Sequence, residues 1–133
     1  MNAIHHPKGR KGHVTSGEFT RAMGAAATGV TVVTTEGVAG RYGLTVSAIA
    51  SVSAEPPLLL VCVNRRNPCV AAITQNGRFA VNILSEAQED VARIFSGKPV
   101  NGLAYDFNRH GWKLGEHGMP LLTEAAAHFE CEV

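Results

Sequence analysis

Residues 43–53, with the sequence GLTVSAIASVS, decide how the chain is interpreted, because they combine strand-forming residues with many small hydroxyl side chains. The residues on either side also favour strands. Residues 30–35 are rich in β-branched side chains, and two glycines after them predict a turn into a partner strand that begins at Tyr42. Beyond a pair of prolines, residues 58–63 are almost continuously apolar, which predicts a strand buried on both faces.

Three helix starts are indicated by capping residues. Thr15 and Glu18 have the spacing of a capping box, and apolar residues at helical intervals follow them. Ser85 and Gln88 repeat that spacing before a helix that we expect to run to about residue 95. Asn67, followed by a proline at the first helical position, predicts a further helix that ends at a glycine.

These elements predict a mainly β protein with a few short helices. Because turns rather than long helices separate the strands of the first half, an antiparallel barrel is favoured over a doubly wound sheet. In the last strand, over residues 127–133, we expect the apolar side chains to be buried and the polar ones to face solvent: Phe129, Cys131 and Val133 against His128, Glu130 and Glu132. That strand would leave an unpaired edge, so either another chain covers it or the sequence belongs to a longer protein.

The length and composition fit one globular domain. The chain has 133 residues, 45% of them hydrophobic, and its formal net charge is +1. Three of the 12 basic residues lie in the first fifteen positions, which contain no acid, so nine basic and 11 acidic residues remain elsewhere. We therefore predict a flexible basic arm over residues 1–14, a domain over residues 15–133 and no nucleic-acid partner. No apolar stretch is long enough for a membrane span and no secretory leader is visible, so no membrane partner is expected.

The chain has three cysteines, an odd number that suits a reducing cytoplasm better than an exported disulfide scaffold. Cys62 and Cys131 lie in apolar surroundings along the sequence and are predicted to be core residues. Cys69 stands at a predicted helix start, where the pKa of a thiol can be lowered. No zinc-binding spacing is present, so no metal site is predicted.

A possible anion site precedes one of the predicted helices. Arg65 and Arg66 come directly before Asn67 and Pro68. Backbone N–H groups, the positive end of a helix dipole and two guanidinium groups would converge there, which suits a phosphate. The alternative is a pair of solvated arginines in a turn.

The strand over residues 43–53 also has two interpretations. Its small side chains would let a flat heterocycle lie close to the main chain. The alternative is a row of serines and threonines that simply faces solvent.

Five segments follow one another along the chain: TGVTVVTT (28–35), GLTVSAIASVS (43–53), EPPLLLVCVN (55–64), FAVNIL (79–84) and IFSGK (94–98). In this order they resemble the flavin reductase-like, FMN-binding split-barrel family, over about residues 16–133. The nearest branch is the reductase component of two-component flavin-dependent monooxygenases, of the 4-hydroxyphenylacetate 3-monooxygenase reductase type. The resemblance implies a Greek-key antiparallel split β-barrel that works as a homodimer, with flavin near the subunit interface.

The resemblance also implies which residues bind the flavin. The isoalloxazine ring would be lined by one continuous run and its extension: Thr45, Val46, Ser47, Ala48 and Ile49, then Ser51 and Val52. Arg66, Asn67 and Pro68 match the phosphate-contacting turn of the family, and Lys98 would contact the distal part of the cofactor. Where the family often has a hydroxyl residue shortly after this turn, the chain has Cys69 and Val70. No catalytic side chain is implied, because the cofactor itself carries out the chemistry.

Members of this branch continue beyond the last strand seen here. They have a Gly-Asp-His segment, whose histidine commonly lies beside the nicotinamide, and a final strand with the pattern Pro-Leu-x-Tyr. Neither follows Val133, so we expect a domain that is C-terminally incomplete. His128 lies one strand too early to replace that histidine and is expected to face solvent.

The function implied by the resemblance is that of an NAD(P)H:flavin oxidoreductase. Hydride would pass from NADH or NADPH to N5 of FMN or FAD, and the reduced flavin would leave for a partner monooxygenase. Two alternatives stay open: an FMN-holding reductase of another acceptor, such as a corrinoid, and a non-catalytic flavin-binding module.

Overall fold

A computed structural model describes residues 15–18, 29–97 and 105–133 of the chain. Its strands are β1 (Thr31–Thr35), β2 (Tyr42–Val46), β3 (Ile49–Ala54), β4 (Pro57–Val61), β5 (Arg78–Ile83), β6 (Trp112–Leu114), β7 (Pro120–Leu122) and β8 (Ala127–Glu132). Its helices are α1 (Pro68–Asn76), a 3₁₀ helix (Glu86–Gln88) and α2 (Glu89–Ile94). The predicted arm over residues 1–14 and most of the first predicted helix lie outside the described residues.

The strands form one larger sheet and two hairpins. The larger sheet has the order β2-β1-β5-β8, while β3 pairs with β4 and β6 pairs with β7. Every strand pair within the described ranges is antiparallel. The predicted mainly β, antiparallel architecture with short helices is therefore confirmed.

Strand β1 lies in the middle of the protein and is buried along its whole length. Since successive side chains of a strand point to opposite faces, Val32 and Val33 belong to two different clusters. Val32 packs with α2 and with aromatic residues of the segment that follows it, including Phe95 and Trp112. Val33 packs with residues of β2 and β5 and with the inner face of the β3–β4 hairpin.

A buried asparagine connects β1 and β5 to β7. The Nδ2 group of Asn82 donates to the carbonyl of Val32 at 3.0 Å, and its Oδ1 accepts from the backbone N–H of Leu122 at 2.8 Å. Beside it, the hydroxyl of Thr34 donates to the carbonyl of Pro120 at 2.6 Å. The core is thus crossed by polar side chains whose hydrogen bonds fix where β7 lies on the sheet.

The predicted helix caps are confirmed. The N–H of Glu18 donates to Oγ1 of Thr15 at 3.1 Å, and the N–H of Thr15 donates to Oε2 of Glu18 at 2.9 Å. At the second capping box, the N–H of Ser85 donates to Oε1 of Gln88 at 2.9 Å. Helix α1 ends as expected at Gly77, whose φ of 74° is a left-handed conformation that glycine adopts without strain.

Three predictions about burial are wrong. Residues 58–63 are not buried on both faces, because Leu58 and Leu60 are 51% and 50% exposed and only their neighbours pack inward. At the end of the chain, Phe129 and Val133 are 46% and 76% exposed, although both are predicted to lie on the buried face of the last strand. Cys62 is exposed as well. Leu58 and Leu60 lie on the outer face of the β3–β4 hairpin and Phe129 lies on the edge strand β8, where no second layer of the described residues covers them.

The expectation for His128 is also wrong. Its Nε2 lies 2.6 Å from the carbonyl oxygen of Leu122, so the ring is held against β7 and is partly buried. The alternation in β8 therefore does not divide the strand into an apolar buried face and a polar solvated one. Here a polar ring takes an inward position because a main-chain carbonyl accepts its hydrogen bond.

We expect Asn82→Ala to lower the free energy of unfolding by about 3 kcal/mol, because it leaves a buried N–H and a buried carbonyl without partners. Chemical denaturation of the two proteins measures the difference. Asn108→Ala, at an exposed position, is the control and should change stability by less than about 0.5 kcal/mol. An Asn82→Ala protein as stable as the wild type would contradict the role given to this amide.

Candidate functional site

The residues predicted to line the isoalloxazine ring, 45–49 with Ser51 and Val52, are called the ring wall below. The wall begins at the end of β2 and continues into β3. Of its members, Ser47 and Ala48 are exposed in the short link between the strands, and Ile49 is half-buried against the second core cluster. Ser51 and Val52 are exposed further along β3. The small residues at the link therefore leave the main chain accessible on its outer side.

The β3–β4 pairing brings this wall next to the predicted phosphate turn. The N–H of Cys62 donates to the carbonyl of Ala48 at 2.9 Å, and Ile49 lies opposite Val61. The turn begins two residues after Cys62, at Asn64. Segments separated by more than a dozen residues along the chain thus meet at one end of the hairpin, as the resemblance implied.

Asn64 organises the turn into α1. Its Oδ1 accepts from the N–H of Arg66 at 3.0 Å, and its carbonyl accepts from the N–H of Asn67 at 2.9 Å. Such a local bond is a common way for asparagine to shape a turn. Sequence reasoning missed this residue, although an asparagine directly before the arginine pair was a signal for it.

Helix α1 begins as predicted, but its backbone donors are already used. The Oδ1 of Asn67 accepts from the N–H of Cys69 at 2.9 Å, the N–H of Val70 donates to the carbonyl of Asn67 at 3.0 Å, and Pro68 has no N–H. An anion here would therefore depend on the helix dipole and on side chains rather than on these backbone groups.

The side chains available for that purpose are those of Arg65 and Arg66. Both residues are exposed, and neither forms an ion pair within the described part of the chain. Two guanidinium groups without an acidic partner, next to a helix N-terminus, are a suitable donor set for a phosphate. The turn thus fits the phosphate of a flavin nucleotide through its arginines.

Two residues of the predicted wall have side chains that are engaged within the protein. Val46 is 7% exposed and belongs to the second core cluster. Thr45 donates its hydroxyl to the carbonyl of Ala92 at 2.7 Å and its backbone N–H to the carbonyl of Phe95 at 2.8 Å. The polar groups of Thr45 are thus directed toward the end of α2.

The remaining predicted residues are more distant or outside the described ranges. The pairing places Ser51 opposite Leu59, about 10 Å along the strand from Ala48. Val52 stands at the irregularity in the β3–β4 register and is 60% exposed. Lys98 lies outside the described residues.

The expectation of an activated thiol at Cys69 is wrong. Burial raises the pKa of the Cys69 thiol to about 11, and the residue is only 1% exposed. The apolar surroundings disfavour the thiolate more than the helix N-terminus favours it. Burial also raises the pKa of Cys131.

Three clefts are lined by residues other than those predicted for the flavin. One of about 440 Å³ includes Asp90 and His110, whose Nε2 lies 2.7 Å from the Asp90 carboxylate and lowers the pKa of that carboxyl. A second, of about 390 Å³, lies between Val30 and the 3₁₀ helix, and a third, of about 170 Å³, lies beside Glu130. Among the described residues, the candidate flavin surface consists of the exposed residues of the link and of the turn before α1.

Comparison with known proteins identifies the family. Residues 23–133 match the model of the flavin reductase like domain. The chain belongs to this family. It is 42% identical over 121 residues to the FMN reductase (NADH) RutF of Methylorubrum extorquens, a match that covers 90% of this chain and 58% of that protein. The chain thus spans a little over half the length of this relative.

Solved structures share the fold. An NADH:FAD oxidoreductase of Streptomyces globisporus, solved in complex with NAD and FAD fragments, has a TM-score of 0.77 and 38% identity, over 87% of this chain and 68% of that one. The styrene monooxygenase flavin reductase of Pseudomonas putida has a TM-score of 0.73 and 32% identity, over 87% and 72% of the two chains. These matches confirm the predicted split-barrel class. Within the described ranges, no helix is long and apolar enough to cross a membrane.

We expect iodoacetamide at about pH 8 to modify Cys62 first and Cys69 only after unfolding. With a pKa of about 11, on the order of one Cys69 thiol in a thousand is ionised at that pH, and the side chain is buried. Mass spectrometry of labelled peptides measures the order of modification. Cys62→Ser should remove the fast phase, and rapid labelling of Cys69 in the folded protein would contradict the assignment.

Proposed function

We propose that this protein is an NADH-dependent flavin reductase that supplies reduced FMN or FAD to a separate monooxygenase. The names of its relatives support this activity: an FMN reductase that uses NADH, an NADH:FAD oxidoreductase and a monooxygenase flavin reductase. The proposal concerns the activity of the whole protein, because the chain spans a little over half the length of the RutF relative.

One observation carries the proposal. In a chain of this family, the Ala48–Cys62 hydrogen bond joins the exposed link of small residues to a turn whose two arginines form no ion pair with any described residue. The link suits a flat ring system and the turn suits a phosphate. A flavin nucleotide contains both of these groups. The same arrangement offers little to a ligand that lacks either half.

We assign the cofactor contacts accordingly. Arg66, with Arg65, would hold the phosphate, and Asn67 and Pro68 would shape the turn. Ser47 and Ala48 would lie against the ring, with Ile49 supporting them from the core side, and Ser51 and Val52 would extend the wall. Lys98 stays the proposed contact for the distal part of the cofactor.

The link and the turn would hold the flavin, and the two cofactors would supply the chemistry, a hydride transfer from C4 of the nicotinamide to N5 of the flavin. The contribution of the protein is to position the flavin ring. The carbonyls of Ser47 and Ala48 already accept from other backbone groups, so the edge of the ring would bond to backbone N–H groups of the link. The arginines would fix the phosphate, so that the ring is presented at a constant angle. No side chain of this chain needs to move a proton for the transfer.

We further propose that two copies of the chain associate through the outer face of the β3–β4 hairpin. Leu58 and Leu60 share that face, and Val52 lies near them, all at least half exposed. Apolar side chains grouped on one sheet face are typical of an interface. Since Val52 also belongs to the proposed ring wall, this dimer would place the flavin near the partner subunit.

We propose the cytoplasm as the place of the reaction, because all three cysteines are free thiols and thiols persist in reducing compartments. The partner would be an oxygenase that receives the reduced flavin by diffusion. The release of flavin between cycles agrees with the exposure of the residues described at the link and at the turn.

The decisive assay is the oxidation of NADH by the full-length protein with FMN or FAD added. We expect turnover that depends on the added flavin, with a colourless protein after desalting. Flavin that stays bound through desalting would indicate a reductase of another acceptor, and tight binding without NADH oxidation a non-catalytic module. Absence of flavin-dependent turnover would overturn the proposal.

The double variant Arg65→Ala/Arg66→Ala should weaken FMN binding by at least about tenfold, because charge-assisted hydrogen bonds contribute on the order of 1.5–3 kcal/mol. Fluorescence titration measures the dissociation constant. Riboflavin, which has no phosphate, is the ligand control and should bind both proteins equally. Arg109→Ala, at another exposed arginine, is the protein control. Equal FMN affinity in the double variant would remove the phosphate assignment.

Leu60→Glu should raise the dissociation constant of the proposed dimer by more than about 100-fold, because an unpaired carboxylate would be buried at the interface. Light scattering coupled to size-exclusion chromatography measures the mass. Val38→Glu is the matched control, since Val38 is 93% exposed in the β1–β2 turn, away from this face. A wild-type monomer, or a Leu60→Glu dimer, would contradict the proposed interface.

A further inference from the structure

Strand β2 is an edge strand of the larger sheet within the described residues, and at Thr45 its outer edge meets the end of α2. On one side, Thr45 pairs with Val32 of β1. On the other side, its N–H donates to the carbonyl of Phe95 at 2.8 Å. Strand β2, which leads directly into the proposed ring wall, is thus held from both sides.

The hydroxyl of Thr45 adds a second bond at the same place. It donates at 2.7 Å to the carbonyl of Ala92, in the last turn of α2. Carbonyl groups in the last turn of a helix have no partner within the helix and must find one elsewhere. Thr45 therefore caps α2 from a neighbouring strand, with its backbone and its side chain together.

The ring of Phe95 fixes the distance between the two elements. A Cβ atom at Gly43 would lie 2.5 Å from Cε1 of Phe95, so the aromatic ring rests directly on the main chain of β2. Phe95 is fully buried and contacts the rings of Phe107 and Trp112. The end of α2 is accordingly a rigid support against which β2 can be positioned.

We propose that Thr45 is a positioning residue of the flavin site: its hydroxyl holds β2 on the end of α2 and thereby fixes Ser47 and Ala48, without touching the flavin. The proposal rests on the proposed function and changes one part of it. The resemblance placed Thr45 among the residues that line the ring, whereas its polar groups are used within the protein.

The test compares two substitutions at this position. Thr45→Val keeps the β-branched shape and removes the hydroxyl, and it should raise the dissociation constant of FMN about fivefold or more. Thr45→Ser keeps the hydroxyl and should restore binding to within about twofold of the wild type. Equal FMN binding by wild type and Thr45→Val would overturn the proposal, as would a Thr45→Ser protein as weak as Thr45→Val.

The variant Thr34→Val tests whether the weaker FMN binding of Thr45→Val comes from lost positioning or from a general loss of stability. Thr34 also donates its hydroxyl to a carbonyl, that of Pro120 at 2.6 Å, and it is buried. This variant should lose at least as much stability as Thr45→Val in chemical denaturation and bind FMN within about twofold of the wild type. If its FMN affinity falls as much as that of Thr45→Val, the effect is one of stability and the proposal fails.

Hydrogen exchange of the flavin-free protein separates positioning from direct contact. In Thr45→Val, amides of residues 44–49 should exchange faster while those of β5 and β8 keep their wild-type protection. Weaker FMN binding with unchanged exchange would show that the hydroxyl touches the flavin, and would overturn the proposal. If the wild type binds neither FMN nor FAD, the proposed function fails and this inference fails with it, whereas loss of the Thr45 effect alone leaves that function intact.

Discussion

The side-chain amide of Asn82 is the interaction on which the rest of the structure depends. Asn82 is fully buried, so that an unpaired amide there would be costly, and it bonds both to β1 and to β7. The hydroxyl of Thr34 donates to the carbonyl of Pro120 in the same region. All of these groups are paired only when β7 lies in its observed position on the sheet. Because a slip of one residue would turn the side chains of a strand to its other face, these bonds also fix which valines enter which cluster.

The candidate site is supported by the strands that these hydrogen bonds hold together. Strand β1 holds β2, and the end of α2 covers the other edge of β2, so the link of small residues that follows is anchored on rigid elements. From the link, the β3–β4 pairing leads to the turn before α1. A chain that contributes binding geometry rather than reacting groups needs this kind of support, since a loosely held ring would lose the alignment that hydride transfer requires.

Much of the architecture could be predicted from local signals. The strand over residues 30–35, the caps at Thr15, Asn67 and Ser85, and the antiparallel hairpins appear where composition and spacing placed them. Burial was less predictable. The apolar run at 58–63 and the alternation around Phe129 describe side-chain chemistry, but whether a face is covered depends on which other element packs there. Cys69 shows the same limit, because its position at a helix start suggested a lower pKa and its burial raises that pKa.

The sequence alone determined that the chain is a β-rich member of a flavin reductase family, with a capped helix start after two arginines. These features depend only on neighbouring residues and on the order of segments along the chain. Only the tertiary structure decided what individual residues do there. It directs the hydroxyl of Thr45 to the carbonyl of Ala92, uses the backbone donors at the start of α1 within the turn, and leaves the arginines unpaired in the described residues. The physical reason is that a hydrogen-bonding group takes whichever partner the fold brings within reach, and that partner is commonly far away in sequence.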